Sequence, residues 1–530
     1  MDRPNLDKGG SSSRTAFRTV NAVAAASKLP VKNLKCSHVT LWRKRVQDRV
    51  KRARAIREAF KLKQGKNLTV HWDGIKVDPL VGSTRRKAVE RLPVVVTGQD
   101  IDQLLGAHVI RSSSGDHSAA EVVSCLHKWE CADDVVALCS DTPTGNTGYK
   151  MGTATRIEKA LGKPLLYLAC RHHMLELIPK GLFDKLFEKS SSPDIGVLCK
   201  ALQGKWDTMD HTAFTPGVQD PACRVFLLER RDSILSFAEQ NLEKPHTRAD
   251  YRQLLELVVI FMGENPFQPK PVRFSPPIAV SSARFMARII YCLLIHMFAL
   301  TGEFKMDQKV LENVRELNVF FVTTYLEPWY TATNVASAPL TDLKLLKTIV
   351  RYDRNPQVSK IASDVFHNHL WYLHHITVGL AFFDDKITVE EKRKMVEKLD
   401  FPPPKSVSQW KRFVLPPRKE LGTLKDSAIS DFINSDTRED PVTWPENNSY
   451  RDGLSKVQAL QVVNDVAERG VALVKRFSKN PLTRREDIFQ DILLTTSCIC
   501  LRAPASLLEG PRPPLSQAKM VLYYIPHLRM

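Results

Sequence analysis

Asp73 and Asp141 each close a short, strand-like apolar segment, in NLTVHWDG and DDVVALCSD. Carboxylates delivered at strand ends are hard oxygen donors, and two that converge can hold a pair of Mg²⁺ (or Mn²⁺) ions about 4 Å apart. Such ions activate an attacking oxygen and stabilise a leaving one, which is the chemistry of phosphoryl transfer. A third acid is normally required. Either aspartate alone is ambiguous, because an Asp just after a strand is commonly a turn or helix-cap residue. Cys170 and His173 form a second constellation, three apart on a helix and hence on one face. Zinc would need two further ligands, and the nearest, His172 and Cys199, form no second spaced pair. A buried cysteine beside a hydrogen-bonded histidine is the better reading.

These residues need elements to position them. Asp134–Cys139 reads as a buried strand ending on Asp141, followed by a Gly/Thr/Asn-rich turn, an amphipathic helix over Met151–Leu161, and a second strand over Leu165–Ala169. That strand leads into the helix carrying Cys170 and His173. Upstream, Asn67–Trp72, Arg91–Thr97 and Leu104–Ile110 read as strands and Ser118–Trp129 as a helix. Three strands, a helix, a strand, a helix, a strand and a helix is the order of an RNase H-like α/β domain. In that fold the first and fourth strands lie side by side, which would bring Asp73 beside Asp141.

The chain has 530 residues, so two to four domains are expected. With 77 Lys+Arg against 58 Asp+Glu it carries a formal charge of +19, which favours a polyanionic partner, nucleic acid first and an anionic membrane surface second. Ten cysteines without paired spacing point to a reducing compartment. The N-terminus lacks the apolar core of a signal peptide, and the longest apolar run, Ile289–Leu300, is too short to span a bilayer, so no membrane is expected. Residues 1–14 read as a disordered tail.

Residues 15–65 read as a basic helical region, a helix over Ala16–Ser27 and a longer one over Cys36–Lys63. These could form a helix-turn-helix that sets Arg43, Lys44 and Arg45 on phosphates or base edges, with Lys51, Arg52 and Arg54 continuing the basic helix as DNA contacts. A solvated helix that serves as a nuclear address is the equal alternative, and the nucleus is the expected location either way. Residues 66–180 would be the first part of the RNase H-like core. Residues 181–450 read as an all-α insertion, with helices over Ala283–Leu300, Gln308–Thr324, Leu340–Tyr352, Ile361–Phe383 and Val389–Leu399 between Pro-rich loops. Helices over Ser455–Phe477 and Arg484–Ile499, within 451–530, would complete the core.

The order HWDG, CSDTPTGNTG, LACRHHMLELI resembles the hAT superfamily of DNA transposases. SSARFMARIIY (281–291) is similar to the family's Arg-Trp segment, and NDVAERGVAL (464–473) to the segment that supplies the third acid. The resemblance covers roughly residues 67–500. It implies metal-dependent cleavage and transfer of DNA strands using Mg²⁺ (or Mn²⁺), double-stranded transposon ends as partner, and a homo-oligomer. It also implies that Asp73, Asp141 and Glu468 are the acidic triad and metal ligands, with Cys170 and His173 in support and Arg284 and Phe285 on DNA. Glu264 and Glu486 are rivals for the third acid. Phe285 stands where the family has Trp; it can still stack on an unpaired base but lacks the indole N–H. The family's N-terminal zinc finger is absent, since Cys36 and His38 cannot complete a site, and its Ser-Glu-Arg is Ala467-Glu468-Arg469. These departures keep a second function open, a transposon-derived DNA-binding or interaction protein without catalysis. An RNase H acting on RNA is disfavoured by the long helical insertion.

Overall fold

Alternating and continuous apolar runs build a mixed sheet of six strands in a computed structural model of the chain. The structure describes residues 13–26, 37–63, 67–80, 87–148, 150–163, 165–187, 196–244, 246, 248–277, 286–367, 379–399, 440–479 and 485–501. In chain order the elements are helices α1 (Ser13–Ala26) and α2 (His38–Lys61), then strands β1 (Leu68–Trp72), β2 (Ile75–Val77), β3 (Val89–Gly98) and β4 (Ile101–Ile110). Helix α3 (Gly115–Lys128), strand β5 (Val135–Ser140), helix α4 (Thr153–Leu161), strand β6 (Leu166–Ala169) and helix α5 (Arg171–Leu186) follow. A long run of helices comes next, including α6 (Ala249–Phe261), α7 (Met286–Ala299) and α8 (Gln308–Phe320); α9 (Asp465–Ser478) and α10 (Glu486–Leu501) close the described chain.

The sheet order is β2-β3-β1-β5-β6, with β4 on the other side of β3. Strand β3 runs antiparallel to β1, β2 and β4, whereas β5 and β6 are parallel. β1 pairs with residues 94–97 of β3 and β2 with residues 89–91, so the short β2, unforeseen in the sequence, prolongs the line of β1 after a break at Asp73-Gly74. The β3–β4 hairpin turns on Gln99-Asp100, with Asp100 at φ 55°, a conformation that Asp tolerates better than most residues. The amide of Leu68 donates to the carbonyl of Asp134 at 2.9 Å, so β1 and β5 start from the same edge.

The chain forms two compact units, and the boundary between them falls inside β5. The first comprises residues 1–136, 144–163 and 466–530; the second comprises 137–143 and 164–465. In the first, Val95, Leu104 and Ala107 of the sheet pack against Val466, Val474 and Phe477 of α9 and Phe489, Ile492 and Leu493 of α10. Gln490 of α10 covers the outer edge of β4: its amide oxygen takes the Ala107 N–H and its amide nitrogen donates to the Ala107 carbonyl, at 2.9 and 3.0 Å. In the second unit α7 is buried on every side from Met286 to Phe298, which explains its unbroken apolar run. No helix among the described residues is long and apolar enough to cross a membrane.

Four expectations are corrected or fall outside the described residues. The helix expected over Ser455–Phe477 is two helices, Asn448–Ala459 and α9, because residues 460–464 are drawn into backbone bonding beside α5: Arg171 N–H donates to Val462 O at 2.8 Å. The helix expected over Ile361–Phe383 covers Pro356–His367, with a 3₁₀ turn at Gly379–Phe383 and residues 368–378 outside the described set. Residues 27–36, which would hold the turn of the expected helix-turn-helix, lie outside the described residues. Of the disordered tail, residues 1–12 lie outside the described set, and Ser13 and Arg14 already belong to α1.

Candidate functional site

In the first unit Asp73 sits at the break between β1 and β2, half-buried, with its amide donating to Pro93 O on β3 at 3.4 Å. The residue before it, Trp72, is fully buried, and its indole N–H donates to Asn146 Oδ1 at 3.0 Å. Asn146 belongs to the Gly/Thr/Asn-rich turn that follows Asp141, so that turn is tied to the end of β1. The turn is also close-packed. A Cβ on Gly152 would lie 2.4 Å from Gly148 O, and one on Gly115 would lie 2.3 Å from Met151 O, so neither position admits a side chain without rearrangement.

Glu468 stands half-buried in the second turn of α9. This helix passes close to β3 at Gly470, where a Cβ would meet the Pro93 Cβ at 2.8 Å. Pro93 is the residue whose carbonyl takes the Asp73 N–H, so α9 and the end of β1 meet the same point of β3. The next residue, Arg469, is ion-paired with Asp102 of β4, and burial pushes that carboxyl up against the pull of the guanidinium. Glu486 is committed elsewhere: both its oxygens take hydrogen bonds from Arg91, at 2.7 Å each. Arg91 is 2% exposed and lies 4.4 Å over the Phe489 ring.

In the second unit Asp141 follows β5 directly and is half-buried. Its carbonyl accepts from the Ser140 hydroxyl at 3.0 Å and from the Tyr167 hydroxyl at 3.4 Å. Just past β6, Cys170 N–H donates to Ser140 O at 2.9 Å, so Cys170 extends the β5–β6 pairing by one step. The Cys170 sulfur accepts the Asn464 N–H at 3.2 Å, four residues before Glu468 in the chain. His173 lies one helical turn further along α5, half-buried. Glu264, the other rival acid, is ion-paired with Arg231 in this unit.

Sequence reasoning missed the residue that the second unit builds most around. Asp465 is buried, with one oxygen 2.9 Å from His172 Nδ1 and the other accepting the Tyr251 hydroxyl at 2.8 Å. Nε2 of His172 donates to the carbonyl of Trp329 at 3.0 Å, and the imidazole stacks on the Trp329 ring at 4.6 Å. A carbonyl can only accept, so both ring nitrogens of His172 are occupied and neither is available to zinc. Burial alone would push the Asp465 carboxyl up; the His172 charge and hydrogen bond, with Arg248 and the Tyr251 hydroxyl, override it and hold Asp465 below the usual carboxylate range. Burial, and after it the neighbouring Cys170, Asp465 and Asp141, push the Cys139 thiol well up. An acid three residues before Glu468 was visible in NDVAER, but its partners come from 214 and 293 residues away.

The basic helix α2 divides by face. Arg43, Lys44, Lys51 and Arg54 are exposed, and Arg52 is half-buried with its Nε donating to Asp48 O at 3.4 Å. Arg45 is a correction: it is 5% exposed, on the face with Arg49, Ala53 and Phe60 that α2 turns inward against α10, and so is not placed for phosphate contact. Phe60 meets the Trp129 ring edge-on at 5.4 Å, and Arg57 reaches Asp491 at 3.8 Å. Arg284 and Phe285 lie outside the described residues. Carboxylate oxygens at Asp73, Asp141 and Glu468 are the donor type that Mg²⁺ or Mn²⁺ takes. No family model matches the chain, and no curated protein matches it.

Proposed function

We propose that the protein is a DNA transposase of the RNase H-like type, related to the hAT superfamily, which cleaves and transfers DNA strands in a metal-dependent reaction. The observation that carries this is the strand order: β1 and β5 are neighbours that start from one edge, and each is followed at once by an aspartate, Asp73 and Asp141. An antiparallel β4-β3-β1 set continued by parallel β5 and β6 is the arrangement expected of an RNase H-like sheet. The approach of α9 to Pro93, whose carbonyl takes the Asp73 N–H, supports Glu468 as the third acid.

In this reading Asp73, Asp141 and Glu468 hold Mg²⁺ or Mn²⁺, which when bound would lower the barrier to attack by water or a 3′-hydroxyl on a phosphodiester. The chain's own contribution is positioning. The Trp72–Asn146 bond and the glycine-packed turn fix the backbone on either side of the two aspartates, and the Cys170–Asn464 contact fixes the chain just ahead of Glu468. The exposed face of α2, with Arg43, Lys44, Lys51 and Arg54, would take duplex DNA by its phosphates and serve as a nuclear address. Action at two transposon ends suits a homo-oligomer.

The test is Mg²⁺-dependent nicking of terminal-repeat DNA. Asp73→Ala, Asp141→Ala and Glu468→Ala should each reduce nicking to background while leaving DNA binding nearly intact, because metal ligation and phosphate contacts use different residues. Nicking that survives Asp141→Ala sinks the assignment. An unmodified protein that binds DNA but cuts no transposon-end substrate is better described as a transposon-derived binding protein.

A further inference from the structure

We propose a second metal site, for a zinc-class transition ion, formed by His108 of β4 with Glu121 and Cys125 of α3. The Nδ1 of His108 lies 2.7 Å from Glu121 Oε1, the Cys125 sulfur lies 3.2 Å from the same oxygen, and the sulfur lies 3.8 Å from Nδ1. Around a tetrahedral ion with Zn–N, Zn–O and Zn–S bonds of ordinary length, donor atoms stand about 3.3–3.6 Å apart. The trio therefore already has nearly the spacing of three ligands on one ion, and admits it by opening the His108–Glu121 contact by less than about 1 Å. Imidazole, carboxylate and thiolate together are a zinc-type donor set, unlike the all-oxygen set proposed for the catalytic acids.

The local structure is built for this convergence. Glu121 and Cys125 are four apart on α3, so both face β4 from successive turns. The imidazole lies across Gly106, where any Cβ would come within 2.6 Å of His108 Cε1; the glycine is what lets the ring lie flat towards the helix. Cys125 is buried, whereas the His108 and Glu121 side chains are 27% and 18% exposed, so an ion has a route in and a fourth position can face solvent. A small cleft beside the imidazole is lined by Arg57, Gly106, His108, Lys128, Gln490 and Leu494, and its two cations suit a water, hydroxide or other anion as fourth ligand. Binding would release the thiol proton that Cys125 now shares with Glu121.

The other group of metal-type side chains among the described residues shows the contrast. Asp220, Cys223 and His296 also converge, but Arg315 Nε sits 2.6 Å from the same Asp220 oxygen that faces His296 at 2.8 Å, so a guanidinium already fills the place of a cation.

The test uses the full chain, stripped with chelator and titrated with Co²⁺. One equivalent should produce a thiolate-to-Co²⁺ charge-transfer band, and Zn²⁺ should abolish it by competition. Cys125→Ser should remove the band. Gly106→Ala keeps all three ligands but displaces the imidazole, and should weaken Zn²⁺ binding at least about tenfold, the scale expected when a ligand loses its support. Far-UV circular dichroism confirms that each variant is folded, and an Asp141→Ala protein should bind Co²⁺ normally, which separates this site from the catalytic proposal. A folded wild-type protein with no band, or a band that survives Cys125→Ser, overturns the site.

Discussion

The two units differ in how deeply their innermost ion pairs are buried. In the sheet-bearing unit, ion pairs lie along the sheet with at least one partner open to water: Arg91 is buried, but its partner Glu486 is 46% exposed, and Arg469 and Asp102 are both partly open. The helical unit has open pairs as well, Arg231–Glu264 and Arg252–Glu256 among them, but three of its pairs are sealed. Arg171 and Asp342 are both 0% exposed, with the guanidinium donating to both carboxylate oxygens and to Ala332 O, and His172–Asp465 and His296–Asp220 are nearly as deep. An open pair can exchange a missing partner for water, whereas a sealed one leaves a bare charge in the core. The second unit thus uses its innermost charges as fixed joints.

The largest expected effect breaks this contrast directly. Asp342→Ala should cost about 3–5 kcal/mol by stranding Arg171, whereas Glu486→Ala should cost only about 1–2 kcal/mol because water can replace the exposed carboxylate. Urea unfolding of the two variants measures the difference, and equal costs would remove the distinction. Replacing both members, Arg171→Met with Asp342→Leu, should recover most of the loss.

A smaller effect, of the order of 2 kcal/mol, is expected from Asp465. Its folded pKa lies below the usual range, as does that of Asp220, where burial is overridden by the His296 and Arg315 hydrogen bonds. A depressed carboxylate contributes stability that is present above its unfolded pKa, about 3.9, and is lost as pH falls towards the folded value. Urea midpoints should therefore be flat above about pH 5 and fall below about pH 4. Asp465→Asn should reduce the baseline and flatten that fall; a variant with an unchanged acid limb would show that Asp465 does not link folding to pH.

The smallest stability effects belong to the exposed face of α2. Charge reversal at Arg43, Lys44, Lys51 or Arg54 should change stability by no more than about 0.5 kcal/mol while reducing the salt slope of DNA affinity by about one for each phosphate no longer neutralised. Arg45→Glu should do the reverse, costing stability because the side chain is buried. If all five behave alike, α2 has no functional face.

Much of the sheet could be read in advance because its signals are local. NLTVHW and RLPVVVT carry β-formers in runs of strand length, and the helix expected over Val389–Leu399 has those bounds in the structure. The break between Ala459 and Asp465 was not legible, since QALQVVND continues a helical pattern that is overridden only by bonding to Arg171 and by Asn464 N–H on the Cys170 sulfur. Asp465 therefore fell inside the helix expected over Ser455–Phe477. Its His172 and Tyr251 partners are invisible to any window of sequence.

The sequence by itself determined which residue types were available and where short-range periodicity would place strands and helices: Asp73 after β1, Asp141 after β5, a basic α2, an apolar α7. Only the tertiary structure decided which of those residues meet. It turned Arg45 inward, gave Glu486 to Arg91 and Asp465 to His172, set α9 against Pro93, and brought His108 to Glu121 and Cys125. The physical reason is range: backbone preference and amphipathic period act over a few residues, whereas ion pairing and close packing join residues tens to hundreds apart.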